Sequence, residues 1–292
     1  MPENSNNPNG PENSTGGPIY APESGFSLFV KLFIVPALIV GLALGIFLLG
    51  TIALQHPKTA AQYLEDFKSD STSRRWQSAL ELSRMLNNGE KIQFDDSLRA
   101  ELVKTFTDSK EDDPRVREYL ALVLGSLKEK SGVPALSAAI PDSSVTIKEN
   151  CLWALGNIED PAGGPAAFQA LSDSDPGVQL MAVGALSALR YAPAKNALEN
   201  DLGNSDQALR YNCAVALARL KDDKAVPTLL EMMGLKPTGQ ASDAMIQSAK
   251  LAAIDGAQEL PNASLREKLL DLSKNDADLK VRDAALQALR AR

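Results

Sequence analysis

Beyond residue 59 the apolar residues of this chain recur with a helical rhythm. In Val116–Leu127 they are Val116, Leu120, Val123, Leu124 and Leu127. These relative positions 1, 5, 8, 9 and 12 trace one face of a 3.6-residue helix. The segment returns at Ile147, Val178 and Leu209, a step of 31 residues each time, and more loosely at Ile246 and Val281 after steps of 37 and 35. An outlying copy, Arg74–Met85, begins 42 residues before the first. Short polar turns precede most copies: Asp112-Asp113-Pro114, Asp142-Ser143-Ser144, Asp173-Ser174-Asp175-Pro176 and Asn204-Ser205-Asp206. Oxygens on Asp, Ser and Asn accept from the free N–H groups of a helix start, and Pro fits the first turn. Between copies lie shorter apolar stretches such as Val133-Pro134-Ala135-Leu136 and Val226-Pro227-Thr228-Leu229-Leu230. The unit is helix, turn, helix, and no strand-like alternation competes with it. A fixed period of this length marks a solenoid, so the pattern predicts an all-α, right-handed α-solenoid of about seven helix pairs over residues 56–292.

The pattern changes completely ahead of residue 56. Residues 1–25 hold five Asn, five Pro, four Gly and three Glu, with no Lys or Arg. Such a stretch has too little apolar surface to offset ordering entropy and is expected to be a disordered tail. Residues 26–55 then read as a transmembrane helix. Leu32–Leu54 runs 23 residues without a charge, enough to cross a hydrocarbon core that needs about 20. Pro36, Gly41, Gly45 and Gly50 are tolerable in such a helix. The run is longer than the apolar stretch of a removable signal peptide and follows an acidic tail, so it is expected to stay as a single anchor. Lys31 stands at one edge, and Lys58, Lys68, Arg74 and Arg75 at the other, a bias that places the solenoid in the cytoplasm. Ala37, Gly41 and Gly45, at four-residue intervals, form a small-residue row through which two anchors could make a homodimer.

Charge and chemistry narrow the function. Residues 59–292 carry 28 of the 30 basic residues and 34 of the 37 acidic ones, a balance of 28 − 34 = −6. Nucleic-acid binding needs a basic stripe, and an anionic lipid surface attracts positive charge; neither partner is expected. The one histidine, His56, lies in the linker. No Cys-x-x-Cys spacing, Ser-His-Asp set or Gly-rich phosphate loop occurs, so no metal, cofactor or catalytic residue is assigned. Cys151 and Cys213 both occupy position 5, two repeats apart. Stacked helices place them roughly 20 Å from one another, beyond the ~7 Å of a disulfide, so both read as small core residues. Gly125 and Gly156 read as packing positions. Asp113, Asp142, Asp175 and Asp206, with Arg117, Lys148, Arg210 and Arg282 at position 2, read as caps and a ladder of ion pairs between repeats.

Asp113–Leu127 and Asp278–Leu289 resemble the HEAT-repeat family, in particular the short bacterial phycobilisome-lyase-like HEAT repeats, with the pattern Asp-Pro-x-Val-Arg-x-x-Ala-x-x-Ala-Leu-Gly-x-Leu. The intermediate copies match in part, with Lys148 and Gln179 in place of Arg. The resemblance spans roughly residues 59–292 and implies a solenoid of HEAT-like helix pairs. With the anchor, it implies a single-pass protein of a bacterial inner membrane. It speaks for fold more than for activity. The DNA-glycosylase branch is disfavoured by the acidic charge. The di-iron hydroxylases need several His ligands that this chain lacks.

The resemblance also implies that the second helix of each pair lines the concave face. Positions 3, 4 and 7 point away from the core stripe there, and they hold Tyr119, Leu122, Asn150, Trp153, Leu180, Met181, Tyr211 and Val215. Trp, Tyr and Met are enriched where proteins bind proteins, and a contiguous apolar patch is informative where single exposed residues are not. These eight residues are the expected protein-binding site, with Trp153 as its anchor and little role in stability. The expected function is a membrane-anchored, non-catalytic interaction scaffold. The alternative, implied by the resemblance, is a chromophore-lyase-like or other enzyme-accessory subunit.

Overall fold

A computed structural model describes residues 26, 29–54, 58–89, 93–141, 144–236 and 242–291. The expected disordered tail, His56 and Asp142 fall outside them. The chain divides into two compact units, Met1–Pro57 and Lys58–Arg292.

In the first unit a wide π-helical turn, Val30–Ile34, leads into α1, Val35–Leu54. Pro36 explains the turn: its ring has no N–H and crowds the carbonyl four residues back, and a widened turn relieves that clash. The Val35 N–H instead reaches the Val30 carbonyl. The stretch Val30–Leu49 is long and apolar enough to cross a bilayer, and none of it is buried by the rest of the protein.

The second unit is a solenoid of seven helix pairs, with no strand among the described residues. The long members, which carry the repeated segment, are α3 (Thr72–Asn87), α5 (Pro114–Ser126), α7 (Val145–Ile158), α9 (Pro176–Ala188), α11 (Gln207–Arg219), α13 (Asp243–Gln258) and α15 (Leu279–Arg290). Their partners are α2 (Ala60–Lys68), α4 (Asp96–Asp108), α6 (Val133–Ala139), α8 (Gly164–Gln169), α10 (Lys195–Asn200), α12 (Val226–Met233) and α14 (Ala263–Asn275). The turns start the long helices as their sequence suggests. Asp113 accepts from the Arg115 N–H, Ser144 from Ile147, Asp175 from Gly177 and Val178, Asp206 from Leu209, and Asp278 from Lys280 and Val281. Each such cap contributes about 1 kcal/mol.

Neighbouring long helices pack far more closely than neighbouring short ones. A layer packed more tightly than its partner is the inside of a curved stack, so the long-helix face is concave. Small residues permit the approach. A methyl group on Gly125 would lie 2.7 Å from the Ala154 Cα and 2.8 Å from the Trp153 ring, and one on Gly156 would lie 3.2 Å from the Ala185 Cα. In the fifth copy Asp255 displaces the glycine by one residue, and Gly256 takes over the close contact with Ala218 and Leu229. Around these contacts Leu120, Leu124, Leu152, Leu155 and Leu186 are almost fully buried, each contributing about 1.5–3 kcal/mol. Cys151 and Cys213 are buried in this core, and burial pushes the Cys213 thiol up to about 12.

Charged groups bridge one pair to the next. Arg75 meets Asp112 at 2.5 Å, Lys148 meets Asp173 at 2.8 Å and Lys250 meets Asp276 at 2.6 Å, while Gln247 donates to Asp278. Arg117 is buried with its guanidinium 5.0 Å over the Phe106 ring. The long helices end on left-handed residues at the same register: Lys128, Glu159, Arg190 and Lys221, with φ between 46° and 59°. Behind three of them the chain folds back, with N–H donation from Glu129 to the Leu124 carbonyl, Tyr191 to Leu186 and Asp222 to Leu217. This end is common for helices, although a glycine usually occupies the left-handed position.

Two outcomes follow from this packing. Gly125→Ala should lower stability by about 1–3 kcal/mol, since its methyl must displace backbone. Gly184→Ala, with nothing within 4 Å of the added carbon, should raise stability by up to about 1 kcal/mol. Urea melts that rank the two the other way would contradict the stacking contact. The ladder predicts a pH dependence. The Lys148 ammonium and the Asp175 N–H hold the Asp173 carboxyl below its ordinary value. Its contribution is therefore complete above the unfolded value of about 4 and is lost as pH falls through the lower folded value. Asp173→Asn should cost about 1 kcal/mol at pH 7, and the cost should shrink as melts are taken below about pH 4.

Candidate protein-docking surface

The long helices bring relative positions 3, 4 and 7 to the concave face. Six of the eight residues expected there, Tyr119, Leu122, Trp153, Leu180, Met181 and Val215, are half-buried, and all of these but Leu122 pack against the core. They run across α5, α7, α9 and α11 as one row. Two behave otherwise. Tyr211 is buried, 7% exposed. Its hydroxyl donates to Glu231 at 2.9 Å and accepts from Gln207 at 2.7 Å, so burial and the adjacent carboxylate both push the phenol's pKa up. The expected surface contact is thus a structural wall residue, because α12 reaches over it. Asn150 spends its amide on the Glu118 backbone carbonyl, at 3.0 Å, which ties α7 to α5.

Trp153 also differs from its expected role. Its ring edge lies against Gly125 of the preceding long helix, so it joins repeats as well as facing outward. Truncating it would open a gap between α5 and α7 and cost stability, contrary to a purely surface part. On its other side, position 7 of the next helix is Gly184, which is exposed and has nothing within 4 Å of an added Cβ. No side chain therefore fills position 7 between Trp153 and Val215.

Farther along, the face opens into a cleft of about 970 Å³ between α11 and α13. Tyr211, Val215, Ala249 and Ala252 form its walls, with Glu231 and Met232 contributed by α12. Met245, 66% exposed, and Lys236 stand at its rim. Its size falls at the upper end of what small-molecule and side-chain pockets occupy, about 300–1,000 Å³. Sequence reading missed the cleft. Its one signal is the run of small residues Ser248, Ala249 and Ala252 at positions 3, 4 and 7 of the fifth copy.

The electrostatics of the face are uneven. Glu118 and Glu149, both at position 3 and half-buried, have no cation in ion-pair contact among the described residues. Burial and nearby Asp113 push the Glu118 carboxyl up, with Arg115 opposing. Glu149 Oε1 lies against Gly177, beside the Asp175 carboxylate. Arg115 is itself engaged: Asp113 clasps it at 2.5 and 2.9 Å, and it stacks 4.0 Å from the centre of the Trp76 ring. Among the described residues no three or more His, Cys, Asp or Glu side chains gather as a metal site would require.

Residues 164–250 match a family model described as HEAT repeats. No curated protein matches the chain in sequence. Among solved structures, the complex of CpcE and CpcF of phycocyanin lyase from Nostoc sp. PCC7120 superposes with a TM-score of 0.54. It is 15% identical, over 81% of this chain and 96% of that one. The YibA protein of Escherichia coli superposes with a TM-score of 0.53. It is 16% identical, over 79% of this chain and 81% of that one. At such identities the likeness is one of fold. The matched stretch, residues 164–250, reads as HEAT repeats, and the helix pairs continue on both sides of it.

Proposed function

We propose that this protein is a membrane-anchored, non-catalytic scaffold that holds a protein partner on the concave face of its solenoid. The observation that carries this reading is the set of half-buried side chains from Tyr119 and Leu122 through Trp153, Leu180 and Met181 to Val215, which lines the cleft. Aromatic and aliphatic side chains already held by the core lose little freedom on binding. That makes them good anchors where a charged surface helix would offer mobile ones. α1 supplies the tether, with the solenoid on the cytoplasmic side of a bacterial inner membrane. The row Ala37, Gly41 and Gly45 would let two tethers pack as a homodimer. The fold likeness to a phycocyanin-lyase subunit pair supports a second reading, an accessory subunit of a chromophore lyase. Pigment transfer to an acceptor protein that depends on this chain would favour that reading over the scaffold.

The tether is tested by fractionation. The intact chain should stay with membranes through high salt and alkaline carbonate, with its N-terminal residues still present by mass spectrometry, whereas a fragment of residues 58–292 should be soluble. Loss of the first residues from the mature protein would make α1 a removable signal instead. The docking face is tested with Met181→Lys, whose long side chain can reach water without disturbing the core. Partner capture by crosslinking in native membranes should fall at least tenfold, about 1.4 kcal/mol, with the thermal midpoint shifted by no more than a few degrees. Undiminished capture would move the interface elsewhere.

A further inference from the structure

We propose that Met245 is a reversible oxidation site, converted to its sulfoxide by hydrogen peroxide, and that the change turns the rim of the α11–α13 cleft from apolar to polar. The oxidation stands on the surroundings of this residue; only its effect on a partner rests on the docking reading above.

The repeat register makes Met245 an exception. It stands immediately before the repeated segment, where the other copies have Ser73, Arg115, Thr146, Gly177, Ala208 and Lys280. Each of those is polar or small. Met245 is 66% exposed, so burial of its own side chain gives no reason for a long apolar residue there. Its neighbours do. Met245 lines the cleft together with Val215, Met232, Leu235 and Ala249, and its thioether extends their apolar wall to the mouth. The polar groups of the cleft are engaged with one another. Gln207 donates to the Tyr211 hydroxyl, that hydroxyl donates to Glu231, and Arg210 pairs with Glu231 at 3.2 Å. A neutral apolar group entering the cleft therefore leaves none of these contacts unmade.

The other methionines among the described residues are shielded. Met232 and Met233 are each 1% exposed. Met85 and Met181 are half-buried and packed against the core, and the Tyr63 hydroxyl donates to the Met85 sulfur at 3.2 Å. Peroxide must reach a sulfur lone pair, so access sets the order of reaction. One oxygen atom passes from hydrogen peroxide to the Met245 sulfur. The O–O bond breaks, an S–O bond forms, the thioether is oxidised and the peroxide is reduced to water. A sulfoxide reductase restores the thioether. The sulfoxide converts a flexible apolar side chain into a polar one. An apolar group pressed against its oxygen would take water away from a strong acceptor and give no hydrogen bond in return. The oxidised rim is therefore a poorer seat for that group.

The test uses the full chain in detergent micelles, treated with graded hydrogen peroxide and mapped by peptide mass spectrometry. Met245 should gain its oxygen about tenfold faster than Met85, Met181, Met232 and Met233, and the difference should vanish in urea. Any of those four keeping pace with Met245 in the folded chain overturns the assignment. The cleft is then read with a neutral apolar photolabel, trifluoromethyl-iodophenyl-diazirine, and labelling of α11 and α13 peptides is normalised to that of α1. Peroxide should lower this ratio about threefold in the natural chain. Met245→Gln should lower it without peroxide, and Met245→Leu should keep it high under both conditions. An unlabelled cleft, a ratio indifferent to peroxide, or a loss that persists in Met245→Leu overturns the switch. Met181→Lys separates the two readings. Partner capture that survives this change, with Met245 oxidised as described, removes the docking face and leaves the oxidation site standing.

Discussion

The stacking of long helices through Gly125 on Ala154, and Gly156 on Ala185, is the contact on which the rest of the solenoid depends. With no side chain at one partner and a methyl at the other, backbones approach to a distance that leucine-bearing helices cannot reach. The short helices carry no comparable series and sit farther from one another. One layer is therefore compressed relative to the other, and the stack bends toward the compressed side. The bend puts positions 3, 4 and 7 of successive helices next to one another on the inside. Residues 31 apart in sequence become neighbours there, and a row of single side chains becomes a surface.

Because only adjacent pairs touch, that surface is built locally and each repeat can differ without disturbing the others. The ladder of carboxylates and cations, from Arg75–Asp112 to Lys250–Asp276, holds successive pairs in one register. The widest departure lies between α11 and α13, where the small residues of the fifth copy leave a cleft in place of a filled seam.

What a solenoid of this kind offers is length, curvature and a row of pre-packed side chains. A tether of about 20 apolar residues would hold such a surface at a membrane and raise its local concentration toward partners confined there. Rigidity matters as much as exposure. Trp153, fixed against Gly125, presents its ring in one orientation, so ordering it costs a partner little.

Much of this was legible in the sequence because it is written helix by helix. The 31-residue step, the Asp and Ser caps, the core cysteines at position 5 and the uncharged run of α1 all depend on residues within one helix or its own turn. The sequence also marked positions 3, 4 and 7 as lying off the core stripe. It could not say what covers them, because that depends on a neighbour's reach. Glu231 on α12 closes over Tyr211 and takes it out of the surface. The Glu118 carbonyl uses up the Asn150 amide, and Gly125 turns Trp153 into a joint between repeats. The left-handed ends at Lys128, Glu159, Arg190 and Lys221 carried no glycine to announce them. There the packing of each long helix against the next short one imposes a conformation that these residues cost about 1 kcal/mol or more to adopt, and only the folded stack supplies that energy.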